Sequence, residues 1–133
     1  MTPAENILST IEAALLSAGL SASVERDRTT PFQIDELPGV VIKPKHEESV
    51  PWGNRNLRST LIVEIEVNVR GAVPSTLADP ITEKIDAALI ANQSLAGLIA
   101  KLFRSGKEWE FSDSDGTGVK LVITYQIHHI EPA

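Results

Sequence analysis

The stretch that decides the fold is Arg58-Ser59-Thr60-Leu61-Ile62-Val63-Glu64-Ile65-Glu66-Val67-Asn68-Val69-Arg70. In an extended chain, Ser59, Leu61, Val63, Ile65, Val67 and Val69 fall on one side. Arg58, Thr60, Ile62, Glu64, Glu66, Asn68 and Arg70 fall on the other. Period-two alternation rich in β-branched residues predicts a strand with one face on a core and the other on solvent or a neighbouring subunit. At about 13 residues it exceeds the usual five or six. Its apolar face needs cover from elsewhere in the chain.

Two amphipathic stretches supply that cover. Thr2 as N-cap, Pro3 at the first helical position and Glu5 at the third form a helix start signal. Ile7, Ile11, Leu15 and Ala18 then recur at helical spacing, widened by Leu8 and Ala14, and Gly19 is the natural left-handed stop. After Gly71 and Pro74, a second helix is predicted over 76–91. Leu77, Ile81, Ile85, Ala88 and Leu89 form its buried stripe, with Glu83, Lys84 and Asp86 facing out. Pro80 fits that helix only close to its start, where N–H groups have no intrahelical partner.

The remaining strands are shorter or later. Ser21–Arg26 is a first strand candidate, and Val40-Val41-Ile42 follows the Pro38-Gly39 turn signal. Residues 44–57 are mostly polar or turn-forming and predict a mobile loop of about a dozen residues. Trp52 stands in it, either folded back on the core or held out for a partner. Beyond Asn92, Ser94–Leu98 reads as a short helical turn. A long hairpin closes the chain: an arm over 100–112, a turn at Asp113-Ser114-Asp115-Gly116, and an alternating arm from Val119 to Ile130. The fold class is therefore α+β: a mainly antiparallel sheet with two helices packed on one face and a long C-terminal β-hairpin.

Composition narrows the function. A chain of 133 residues is the size of one domain, 1–133, and 42% hydrophobic residues is a globular value. Twelve Lys and Arg against eighteen Asp and Glu give a net charge of −6, the wrong sign for coating nucleic acid. With no cysteine there is no disulfide, thiol nucleophile or thiolate-bound zinc. No export signal and no apolar run of about 20 residues is present, so a soluble protein made without export is expected.

No phosphate loop, nucleophile elbow or zinc-protease motif occurs. His128 and His129 are adjacent on a strand and point to opposite faces, so that strand cannot present both to one ion. No catalytic residue, metal ligand or cofactor site is assigned. Glu64 and Glu66 share the exposed strand face and read as a solvated face or an intersubunit contact. Lys101, Arg104 and Lys107 precede Glu108, Glu110, Asp113 and Asp115. This charge reversal suits a head-to-tail ring in which a neighbour's Glu64 or Glu66 meets Arg104 and Lys107.

Three features carry a resemblance. The N-terminal helix precedes Asp35-Glu36-Leu37-Pro38-Gly39-Val40-Val41-Ile42. The strand Leu61–Val69 leads to the helix Ile81–Ile90 and then Ser94–Leu98. A hairpin ends in Val122-Ile123-Thr124-Tyr125-Gln126-Ile127. In this order the chain resembles the tail terminator (tail completion) family of long-tailed bacteriophages, minor tail proteins that cap the tail tube. The resemblance implies a non-enzymatic virion protein of a phage or prophage, made in the bacterial cytoplasm and placed in the tail. It implies a homohexameric ring that ends tube polymerisation and presents a surface for head joining. The implied partners are other copies of the chain, the tail tube protein and a head-completion or connector protein, with no cofactor, membrane or sequence-specific nucleic acid. Candidate contacts are Trp52, Arg55, Arg58, Glu64, Glu66, Arg104 and Lys107. The alternatives are another head–tail neck protein and, from a different class, a small metal-dependent enzyme using His46, His128 and glutamates.

Overall fold

The chain, described over residues 2–91, 101–111 and 118–132 in a computed structural model, runs α1 (Pro3–Leu16), β1 (Ser23–Arg26), β2 (Gly39–Trp52), β3 (Asn56–Arg70), α2 (Pro74–Ala91), β4 (Lys101–Phe111) and β5 (Gly118–Pro132). A single 3₁₀ turn at Ile34–Glu36 lies between β1 and β2. The five strands form one sheet in the order β1-β2-β3-β5-β4. Only β1 and β2 pair in parallel; the other neighbours are antiparallel. This is the expected α+β class. The expected turns at Ser94–Leu98 and Asp113–Gly116 lie outside the described residues.

The core follows the alternation. Leu61, Val63, Ile65, Val67 and Val69 are buried in one cluster with Ile7, Ile11 and Leu15 of α1 and Ile81, Ile85 and Leu89 of α2. Both helices therefore lie on the same face of the sheet, here the inner face. α1 starts as its sequence dictates: the Glu5 N–H donates to Thr2 Oγ1 at 3.1 Å, with Pro3 at the first helical position. Gly19 takes the left-handed conformation at φ +67° just past the helix end. Arg26 of β1 donates through both terminal nitrogens to Glu5 at 2.8 Å, tying the first helix to the edge strand. That hydrogen-bonded pair holds the Glu5 carboxyl below its ordinary pKa.

Several expectations need correction. The second helix begins at Pro74, two residues before the expected start, because Pro is tolerated at the first helical position. The earlier start leaves Pro80 in the second turn, inside the helix. The buried stripe is then Pro74, Ala78, Ile81, Thr82, Ile85 and Leu89, so Leu77 is left 47% exposed. Leu77 leans instead over Gly71, filling the space a Cβ there would need. Asp86 does not face out freely: Tyr125 and Arg104 both donate to its carboxylate. Burial and that bond push the Tyr125 hydroxyl well above its ordinary pKa.

The largest correction concerns 44–57. These residues are not a loop but the distal half of a long β-hairpin. Lys43 to Trp52 pairs with Asn56 to Glu64, closed by a three-residue turn at 53–55 with Gly53 at φ +72°. β1 covers only Gly39–Ile42 of β2, so Pro44 and Pro51 lie on a strand edge that needs no N–H there. The ladder slips by one residue between Pro44 and His46, a β-bulge. A ladder that is polar on both faces has no apolar alternation to reveal it.

Two measurements check this fold. Ile65→Ala should lower the free energy of unfolding by about 2–5 kcal/mol in urea titrations. Amide exchange on the free protein should show alternating protection along Lys43–Trp52, from the N–H groups that face β3; uniformly fast exchange there would exclude the ladder.

Candidate protein-interaction site

Paired residues in a ladder point to the same face, so the register sorts the expected contact residues. On the face opposite the helices, Val50, Arg58 and Ile130 form one row, and Trp52, Asn56 and Pro132 form the next. Val50, Trp52 and Ile130 are all exposed, Trp52 at 49%. The Arg58 guanidinium lies over the Trp52 ring, 5.1 Å from its centroid. Such cation–π stacking holds the indole flat against the strand without covering it. Arg55 is exposed in the adjoining turn. Trp52, Arg55 and Arg58 are therefore brought together at the hairpin tip, with Val50 and Ile130 completing an apolar patch that the sequence reading missed. Only the cross-strand register joins these two residues, and a segment read as loop offers none.

The other expected contacts lie apart from the tip. Glu66 is only 7% exposed, so it does not belong to an open strand face. Lys43 Nζ reaches it at 3.1 Å and Lys120 Nζ at 3.5 Å. Glu64 is half-buried on the same face. Arg104 is bound to Asp86 within the chain. Lys107 is exposed on β4, where its pairing with Ile123 places it on the inner face. Glu66 and Arg104 thus already have partners inside the molecule, and the expected pairing between neighbours would have to break them.

The polar end of the inner face holds a second unforeseen group. Beyond Leu61, the aliphatic row gives way to Glu47, Ser49, Ser59, His129 and Glu131. Ser59 Oγ donates to Glu131 Oε1 at 2.8 Å and lies 2.7 Å from Ser49 Oγ. His129 is fully buried; its Nε2 lies 3.1 Å from Glu47 Oε2, while Nδ1 has no partner among the described residues. The three histidines go to separate places. His46 binds Glu48, and His128 stacks on Phe103 with its ring centroid 5.7 Å away. Among the described residues no group of three or more His, Asp or Glu side chains is placed to hold a metal ion.

The outer face also carries a cleft of about 430 Å³ beneath the 27–38 connection, lined in part by Thr30, Phe32, Val41, Lys43, Asn68 and Lys120. Phe32 packs directly over Gly39, whose lack of a Cβ permits the contact, and Arg28 stacks over the Phe32 ring at 4.0 Å. Val41, in the cleft lining, is buried, and Val122 is buried farther along the same outer-face row. Among the described residues Glu66 is the one carboxylate in the cleft lining, and two lysines hold it.

Comparison with solved structures finds this fold elsewhere. A chain of the virion of a native gene transfer agent particle superposes with a TM-score of 0.66. The match covers 93% of this chain and 94% of that one, at 11% sequence identity. At that identity the likeness establishes a shared fold. No protein-family model and no curated protein matches the sequence.

One prediction separates the buried polar group from the exposed tip. Glu47→Ala removes the one partner that a fully buried imidazole has among the described residues and should destabilise the chain by about 1–3 kcal/mol. Glu48→Ala, next in sequence but exposed on the other face, should change stability by less than about 0.5 kcal/mol.

Proposed function

We propose that the chain is a structural virion protein that ends a phage or prophage tail tube by capping it as a ring of identical subunits, six in the terminator family it resembles, and that offers the ring to the head connector. The observation that carries this reading is the likeness, over nearly the full length of both chains, to a component of a phage-like virion. The same fold also serves unrelated functions in principle, so the site has to agree with the reading. It does so in two respects. The exposed tip is a protein-contact surface by composition, an aromatic and an arginine on an apolar patch. The titratable groups of the sheet are arranged as ion pairs and buried bonds rather than around a reactive centre.

In this reading the ring docks on the last tube layer through surface complementarity and presents a face that no further tube subunit joins. Trp52, Arg55 and Arg58 are the primary contact residues. Glu64 and Lys107 are secondary, while Glu66 and Arg104 hold the subunit's own shape. The protein works in the tail of the particle, with tube and connector proteins as its partners and no cofactor.

The test is complementation of a terminator-defective phage. A Trp52→Ala, Arg58→Ala double variant removes exposed side chains only, so its thermal unfolding should stay near that of the parent. It should nonetheless give overlong tails or tails that fail to join heads, scored by electron microscopy. Normal tail length and infectivity from the folded double variant would remove the tip from the interface. Failure of the parent protein to complement at all would remove the terminator assignment itself.

A further inference from the structure

The outer-face cleft beneath the 27–38 connection lies at the end of the sheet opposite the hairpin tip and takes no part in the proposed ring contact. Among the described residues, Arg28, Lys43, Arg70 and Lys120 line it against the single carboxylate of Glu66, in a protein whose net charge is −6. A cleft lined mainly by one sign of charge focuses the field and concentrates ligands of the opposite sign. The register shows how these charges are gathered. Gly39, Asn68 and Lys120 form one outer row; Val41, Glu66 and Val122 form the next; Lys43, Glu64 and Thr124 form the third. Lys43 and Lys120 thus stand on the two strands that flank β3, one row to either side of Glu66.

Both lysines reach the same oxygen of that carboxylate, Oε1, at 3.1 and 3.5 Å. Glu66 balances only one of the two ammonium groups, and Glu64 and Glu110 border the same lysines from outside the cleft lining. Arg28 is engaged with Glu25, Glu36 and the Phe32 ring, so it shapes the wall. Asn68 also lines the cleft, and its Nδ2 is buried without an acceptor among the described residues. A buried donor left unanswered is costly, and the broad terminal torsion of an asparagine lets its amide turn toward an oxygen in the cleft. Phe32, Leu37 and Val41 add an apolar wall, and a volume of about 430 Å³ is in the range of small-molecule sites.

We infer that this cleft binds a small organic anion, with an apolar body against Phe32, Leu37 and Val41 and a carboxylate or phosphate group at Lys43, Lys120 and the Asn68 amide. Glu66 holds the two lysines in position and competes for them with the ligand's anionic group. This inference does not depend on the capping function.

The test is an NMR titration of the isotope-labelled full chain with benzoate and with phenyl phosphate at constant ionic strength. At least one anion should shift the Asn68 side-chain amide and the Gly39 and Gly118 backbone amides saturably, while the Trp52 indole at the tip does not respond. Comparing the two affinities tells a carboxylate site from a phosphate site. Lys43→Gln should weaken binding about tenfold, the loss of one charge-assisted hydrogen bond. Glu66→Gln should tighten it several-fold by removing the competing carboxylate, and it decides the point if Lys43→Gln perturbs the fold. Lys101→Gln and Glu48→Gln make the same changes in net charge at exposed positions away from the cleft and should leave the affinity unchanged. The inference is overturned if neither anion gives saturable shifts, or if neutral benzyl alcohol binds equally well. It is also overturned if Glu66→Gln leaves the affinity unchanged, or if the distant variants alter it as much as the cleft variants do.

Discussion

The structure depends on a mismatch of lengths. β3 has 15 residues and spans about 50 Å when extended, whereas the 18-residue α2 spans about 27 Å and the 14-residue α1 less. Two such helices side by side cover the part of the inner face where Leu61, Val63, Ile65, Val67 and Val69 lie, and they cannot cover the rest. The end beyond the two helices is built differently: aliphatic residues give way to Glu47, Ser49, Ser59, His129 and Glu131, with Ser59 and His129 buried among hydrogen-bonding neighbours. The pairing of β2 and β5 with β3 continues regardless, so the sheet projects beyond its own core as a three-stranded extension. The contact surface proposed for assembly sits on that projection.

Edge control follows from the same constraint. The distal half of β2 is bordered by β3 on one side only, and it carries Pro44, Pro51 and a bulge. β4, the opposite edge, carries a bulge between Arg104 and Gly106 and several charges. These features oppose indiscriminate strand addition. They leave side-chain surfaces, rather than bare backbone edges, as the means of recognising a neighbour.

How far the sequence can be read depends on whether a residue's environment is written in its neighbours. The inner row of β3 and the stripes of α1 and α2 are periodic, so burial there was legible from spacing alone, as was the Thr2 cap. Leu77 is misplaced because the added first turn buries Pro74 and Ala78 while Leu77 lies over Gly71, although the expected Ile81, Ile85 and Leu89 are buried as spacing predicts. Glu66 looked like any other solvent-facing strand residue. Its burial comes from Lys43 and Lys120 on the flanking strands, partners that are distant in sequence. The tip was the hardest to read. Trp52 and Arg58 were singled out by residue type, but Val50 and Ile130 join them only through a register that a polar hairpin does not announce.

The central claim is that the projecting tip, and not the helix-covered body, is where this protein meets its assembly. Hydroxyl-radical footprinting of the free protein and of the protein bound to tail tubes compares the two regions in one experiment. The account predicts that oxidation of Trp52 and its neighbours Val50, Pro51 and Arg58 falls several-fold on binding, while exposed residues on the helix layer such as Leu16 and Glu83 react as before. Equal oxidation of Trp52 in the two states, with protection on the helices instead, would contradict it.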